Sequence, residues 1–422
     1  MTQRHFHVLD GLRGTAAFSV LMFHIWEMLV PSLEANPMRH TFLAVDFFFA
    51  LSGFILGHAY DARLAPADGR HGPQLTRTEF FLRRLIRLHP MVVAAMVAGM
   101  LGYLLDPYAG GAQGIGAALS PGMLWLTFGL SLLLLPTPTL PNYFGETHSV
   151  NGPSWTLFQE YIANLLFALF APRLGRKLHL VLCAASALAL LGTAYHLGNL
   201  GYGWGWGHFW VAPVRLACPF LLGLLVYRLR LRIVLPYPFA VLSLVLLAAF
   251  CAPAMGRYTW LYEAACVIVL FPLVLAAGAA AVGEDAPGQA GRPAGLLVRL
   301  AGELSYPVYI VHYPFIYIFA HWNWQTHPSR AALWAAAAAL FCGVTLLALA
   351  LSRWYDRPVR AWLSRVLLAR RTDAARVHRV VRCVRCLTAA WGRLRPPHLF
   401  SPDFHPIFTR FLLDNQQQWN QP

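Results

Sequence analysis

Charge is what this sequence has least of. Only 12% of its 422 residues are Asp, Glu, Lys or Arg, about half of the ~25% that a soluble domain carries. That excludes a water-soluble globular protein of this length. The same shortage of polar residues excludes a disordered chain. Cysteine is scarce as well: seven residues, most of them inside apolar runs, are too few for a secreted disulfide scaffold of this size. Lys177 is the single lysine, so 32 of the 33 basic residues are Arg. No Walker A loop, dinucleotide fingerprint or G-x-S-x-G elbow is present. Cys383 and Cys386 form a lone C-x-x-C with no second pair, so no metal is expected.

What the chain has instead is apolar length. Hydrophobic residues make up 58%, in runs near 9–30, 41–60, 84–105, 121–135, 154–171, 178–197, 208–228, 236–252, 259–282, 298–320 and 331–352. About 20 apolar residues in a helix cross the ~30 Å hydrocarbon core. Asp10 and Arg13 interrupt the first run, and no small-x-small site follows it, which argues against a cleaved signal peptide. The fourth run is short and lies between Pro121 and Pro136, so it is read as re-entrant or partly buried. The expected fold is all-α: a polytopic membrane protein with about ten transmembrane helices plus that short segment.

The net charge of +15 can signal nucleic acid. Here the arginines sit in short loops and a tail beside apolar spans, so the positive-inside rule accounts for them and no nucleic-acid partner is expected. Arg63, Arg70, Arg77 and Arg83 follow the second run, Arg173 and Arg176 the fifth, and Arg228, Arg230 and Arg232 the seventh. From Arg353 onward there are 13 Arg and four Asp. Placing these loops in the cytoplasm puts both termini there and turns 136–153 outward. The domain reading is a membrane domain, 1–355, and an Arg-rich cytoplasmic tail, 356–422.

Ionisable residues inside such spans are costly and usually functional. Arg13 and His24 are 11 residues apart, ~16.5 Å along a helix and about 20° from three full turns, so they share a face. An anion anchor with a general base fits this pair; so does a snorkelling Arg with a His hydrogen-bonded in the bundle. Arg84 and Arg87 share a face at i, i+3, and their planar forks suit phosphate oxygens; ordinary positive-inside charge is the plainer reading. Asp46 lies in VDFFFALSGFI and needs a partner. Glu160, two turns into its span, can orient a His, bind a sugar or pair with an Arg. Ser305, Tyr309 and His312 form one polar stripe, and a packed set of Tyr and His hydrogen bonds is its plainer reading; Pro307 and Pro314 bend the helix. A transporter or flippase using Arg13, His24 and Glu160 as a relay is the alternative function. A membrane sensor with a basic tail is a further one.

At these residues the sequence resembles the acyltransferase 3 family of integral-membrane O-acyltransferases. LDGLRGTAAFSVLMFH, VDFFFALSGFI, FLRRLIRLHP, SWTLFQEY and LSYPVYIVHYP match its motifs in order, over residues 9 to about 355. The resemblance implies ten transmembrane helices with both ends cytoplasmic in a bacterial inner membrane. It implies transfer of an acyl group, typically acetyl from acetyl-CoA, to a hydroxyl of a cell-surface or exported carbohydrate, with no permanently bound cofactor. By motif position it implies His24, Arg13 and Glu160 as catalytic and Arg84, Arg87 and Arg13 as donor-binding. Asp46, Trp155, Ser305, Tyr309 and His312 would contact substrate. The Arg-rich tail leaves no room for the extracytoplasmic hydrolase domain that some members carry. The acceptor and the oligomeric state are not legible in the sequence.

Overall fold

A computed structural model describes residues 6–64, 75–108, 120–140, 144–281 and 293–368. All of them lie in one compact unit, Met1–Leu368; a second unit, Ala369–Pro422, falls outside the described residues. Arg70, Cys383 and Cys386 are therefore also outside them. The helices are α1 (His7–Leu29), α2 (Thr41–Leu64), α3 (Arg77–Leu105), α4 (Pro121–Leu132), α5 (Ser154–Phe170) and α6 (Arg176–Leu197). They continue with α7 (Val211–Arg228), α8 (Pro238–Phe250), α9 (Gly256–Gly278), α10 (Pro293–Val311), α11 (Tyr313–Thr326) and α12 (Arg330–Leu367). No strand occurs among the described residues beyond one isolated bridge, Glu146 to Gly205.

The protein is an all-α polytopic membrane protein. Among the described residues seven helices, α1, α2, α3, α6, α7, α9 and α12, are long and apolar enough to cross a bilayer. The expected ten crossings require α5, α8 and α10 as well, which are shorter or more polar. At 12 residues α4 rises ~18 Å, short of the hydrocarbon thickness.

The run expected as one span over 298–320 is two helices, broken at His312. Pro314 has no N–H for the carbonyl of Ile310 and its ring crowds that oxygen. Asn151 repairs the loss, donating from Nδ2 to the Ile310 carbonyl at 2.7 Å.

Two helix contacts order the bundle. In the first, α1 lies along α10 so closely that a Cβ on Gly14 would overlap the Ala301 carbonyl. In the second, α2 meets α7, where Gly223 leaves room for the Ala50 carbonyl. Arg215 of α7 binds Asp46 of α2 through Nη2–Oδ2 at 2.5 Å and Nε–Oδ1 at 3.2 Å, with both side chains buried. Unpaired, either charge is prohibitive in hydrocarbon; paired and hydrogen-bonded, the two clamp the helices together.

The segment expected as an outward loop is not a free loop. Glu146, Thr147, His148, Ser149 and Asn151 are all buried, so 144–153 plugs one end of the bundle. Burial raises the Glu146 carboxyl above its ordinary range. His148 donates from Nε2 to the Leu134 carbonyl at 3.1 Å, and its Nδ1 lies 3.0 Å from the Thr147 hydroxyl, which also reaches the Trp204 carbonyl at 3.0 Å. Burial pushes its pKa down to about 4. The unfolded chain therefore binds the extra proton first. The contribution of His148 to stability is complete above ~6.5 and is lost as pH falls from there toward 4. The melting temperature should fall over that window, and His148→Gln should flatten the slope; an unchanged slope in the variant contradicts the neutral-histidine plug.

Candidate active site

A cavity of about 260 Å³ opens where α1, α2, α3, α5, α10 and α12 converge. Five arginines line it, Arg13, Arg84, Arg87, Arg357 and Arg360, against three carboxylates, Glu160, Glu303 and Asp356. Pairing distinguishes the arginines. Arg84 is bound by Glu160, and the Ser52 hydroxyl donates to the same oxygen of Glu160 at 3.4 Å. Arg360 holds Asp356 at 3.0 Å and Arg357 holds Glu303 at 2.7 Å, the latter an exposed pair worth little. Arg13 donates from Nε to Ser305 at 2.8 Å and from Nη2 to the Gly302 carbonyl at 3.2 Å. Arg87 lines the cavity with no hydrogen bond or ion pair among the described residues. A net-positive cavity with one uncommitted guanidinium is built to receive an anion.

His24 is not in that cavity. It sits five residues before the end of α1, about 16.5 Å beyond Arg13 along the helix. Its Nδ1 lies 2.5 Å from Glu27 Oε2, one turn on. A carboxylate can only accept, so Nδ1 carries a proton, and in the neutral ring the lone pair is on Nε2. The His24 ring stacks on His312, centroids 5.4 Å apart at 24°, and meets the edge of Tyr313 at 4.8 Å. His312 in turn donates from Nδ1 to the Tyr309 carbonyl at 2.8 Å. Along α10 the polar stripe joins the two ends. Ser305 receives Arg13, Tyr309 donates to Thr156 at 2.9 Å, and His312 backs His24.

The structure thus gathers Arg13, Arg84, Arg87, Glu160, Ser305 and Tyr309 at one cavity, and His24 with His312 nearer the opposite end of the bundle. Asp46 and Trp155 belong to neither. Asp46 is consumed by Arg215, whose guanidinium also lies 5.6 Å from the Trp155 ring centre. Their expected substrate contacts are replaced by a helix clamp, because a buried carboxylate must be neutralised before it can do anything else. Glu160 does not orient a His; it pairs with Arg84. Sequence reasoning missed Arg215, although it lies in the apolar run VAPVRLACPF and is the partner Asp46 required. Glu27 was missed too, three residues after His24 and on its face. Arg357 and Arg360 were placed in the tail, but α12 continues through a π-turn at Ser352–Asp356 and packs its last turns against α3. The unit containing the site therefore runs to Leu368.

Comparison with known proteins gives the family. Residues 6–353 match the acyltransferase domain of the acyltransferase 3 family. The chain belongs to that family. This membrane acyltransferase is 33% identical over 194 residues to protein 2 in the picA locus of Rhizobium radiobacter, covering 45% of the chain and 94% of the relative. It is 36% identical over 91 residues to YrhL of Bacillus subtilis (strain 168), whose name proposes a peptidoglycan O-acetyltransferase; the match covers 21% of the chain and 12% of YrhL. No solved structure matches. The transporter and sensor alternatives give way to the acyltransferase. Within its cavity, Arg87→Ala should weaken binding of a polyphosphate anion, with pyrophosphate as probe, without lowering the melting temperature. Arg84→Ala should lower the melting temperature, because it strands Glu160. Equal stability loss in both variants contradicts this division of labour.

Proposed function

We propose that the protein transfers an acyl group, acetyl in the first instance, from a CoA thioester to a hydroxyl of a cell-surface carbohydrate, from within the cytoplasmic membrane of a bacterium. The observation that carries this reading is the placement of an arginine cavity and a carboxylate-oriented histidine at successive levels of one helix pair, α1 and α10. The arginine end is the cytoplasmic one in this reading, as the positive-inside rule requires. Arg87, with Arg13, Arg357 and Arg360 beside it, takes the donor's phosphates. The pantetheine arm runs along the Ser305–Tyr309 stripe toward His24. The name of YrhL supports an O-acetyl product on an envelope glycan.

In the transfer step His24 Nε2 removes the acceptor's hydroxyl proton as the oxygen bonds to the thioester carbonyl carbon. The C–S bond then breaks, and the leaving thiolate collects the proton from His24. Glu27 holds the tautomer that makes Nε2 the base and balances the transient imidazolium. A purified enzyme supplied with labelled acetyl-CoA and envelope glycans from a strain lacking the gene should acetylate the glycans. His24→Gln should lose at least about 10²-fold in rate at normal protein yield, since an amide cannot take a proton near neutral pH. Retention of most activity by a folded His24→Gln enzyme contradicts the assignment.

A further inference from the structure

The arginine cavity stops short of His24. Three helices each bring one residue to the arginine level and another one turn, about 6 Å, deeper. On α2 these are Ser52 and Phe48, on α5 Glu160 and Thr156, and on α10 Ser305 and Tyr309. The three deeper side chains form a constriction. The Phe48 ring stands edge-on to Tyr309, centroids 5.3 Å apart at 81°. Tyr309 donates its hydroxyl proton to Thr156 at 2.9 Å, and Thr156 donates its own to the Pro153 carbonyl at 2.8 Å. Just beyond, the His312 ring lies 6.1 Å from Tyr309 and stacks on His24. Phe48, Thr156 and Tyr309 line the cavity, whereas His312 and His24 do not. A thioester whose phosphates rest on the arginines has to pass these three side chains to reach His24 Nε2.

The helices that carry the constriction are locked on their other sides. Val45, Phe48, Ser52 and Ile55 give α2 its cavity face. The opposite face holds Asp46, bound to Arg215, and Gly53, where a Cβ would overlap the Phe220 carbonyl. Helix α10 is held as closely to α1, at Gly14 and Ala301. The width of the passage is therefore set by side chains and not by helix movement. Tyr309 and Thr156 are fixed by their chain of hydrogen bonds. Phe48 is half-buried and held by packing alone, so it is the member that can change rotamer. Its swing opens a slot no wider than a phenyl ring. With the thioester at His24, that slot is filled by the donor's unbranched cysteamine chain. A straight acyl chain going ahead of it is no wider; one branched beside the carbonyl is.

We infer that Phe48, set against Tyr309 and Thr156, selects the acyl group by width. Straight-chain acyl groups pass to His24, and branched ones are held back at the arginine level. The inference rests on the acyl-transfer reading and names the class of donor within it. Phe48 takes part in no bond change; it is a specificity residue.

The test uses the full-length enzyme, envelope glycans from the gene-deleted strain, and acetyl-, n-butyryl- and isobutyryl-CoA as donors. The two butyryl donors contain the same atoms and differ only in branching. The wild-type enzyme should favour n-butyryl-CoA over isobutyryl-CoA by at least about 10-fold in kcat/KM, the scale of one misplaced methyl group in a fitted apolar site. Isobutyryl-CoA should nevertheless compete with acetyl-CoA, because its phosphates still reach the arginines. Phe48→Ala, and Phe48→Leu as the milder change, should bring the ratio of the two isomers toward one. A wild-type enzyme that transfers both butyryl isomers equally, or neither, overturns selection by width whatever the variants do. So does a wild-type ratio, or a loss of transfer from all three donors, in every Phe48 variant that folds. Absence of acetyl transfer by the wild-type enzyme overturns the acyl-transfer reading itself, a separable result.

Discussion

Helices α1 and α10 approach each other backbone to backbone, and what lies between them is hydrogen where side chains would be. Gly14 faces the Ala301 carbonyl and Gly302 faces the Asp10 backbone. In a bilayer, apolar side chains gain little by leaving lipid for protein, so close backbone packing at small residues is a main source of helix association. Because the two helices run in the same direction with the same rise per residue, one contact fixes the others. Arg13 reaches Gly302 and Ser305, and about ten residues further on His24 meets His312. The separation between anion cavity and histidine is thus set by helix geometry and not by loops.

The second constraint is that each polar group in an apolar bundle needs a partner or a ligand. Asp46 and Arg215 satisfy one another, as do His40 and Glu263, whose other oxygen accepts the Leu200 amide at 2.6 Å. These pairs lie away from the cavity and hold helices together. Unmatched buried atoms remain in several parts of the bundle, Thr127, Gln159 and Asn164 among them, while at the cavity Arg87 has no hydrogen bond or ion pair among the described residues.

Much of this was legible in the sequence, for definite reasons. Hydropathy and the shortage of charge dictate a helical membrane protein, because only helices and closed barrels satisfy backbone groups in lipid. Helical periodicity put Arg13 with His24, and Arg84 with Arg87, each on one face. The motifs pointed to the family that the comparison then assigned. Pairings between distant segments were not legible. Nothing local says that Arg215 answers Asp46, 169 residues away, or that Asn151 caps the carbonyl freed by Pro314. The plug at 144–153 reads as a loop because it is polar and rich in turn formers, yet Glu146, Thr147, His148, Ser149 and Asn151 are buried. Arg357 and Arg360 read as tail because apolarity ends before them, while the helix itself continues.

The central claim is that donor and acceptor enter from opposite ends of one helix pair and meet at His24. Sealed membrane vesicles of known orientation test it directly, with labelled acetyl-CoA added only to the outer compartment. Inverted vesicles, which expose the arginine end, should transfer label to glycans in their lumen, while right-side-out vesicles should transfer none. Transfer by intact right-side-out vesicles from external acetyl-CoA would contradict the account.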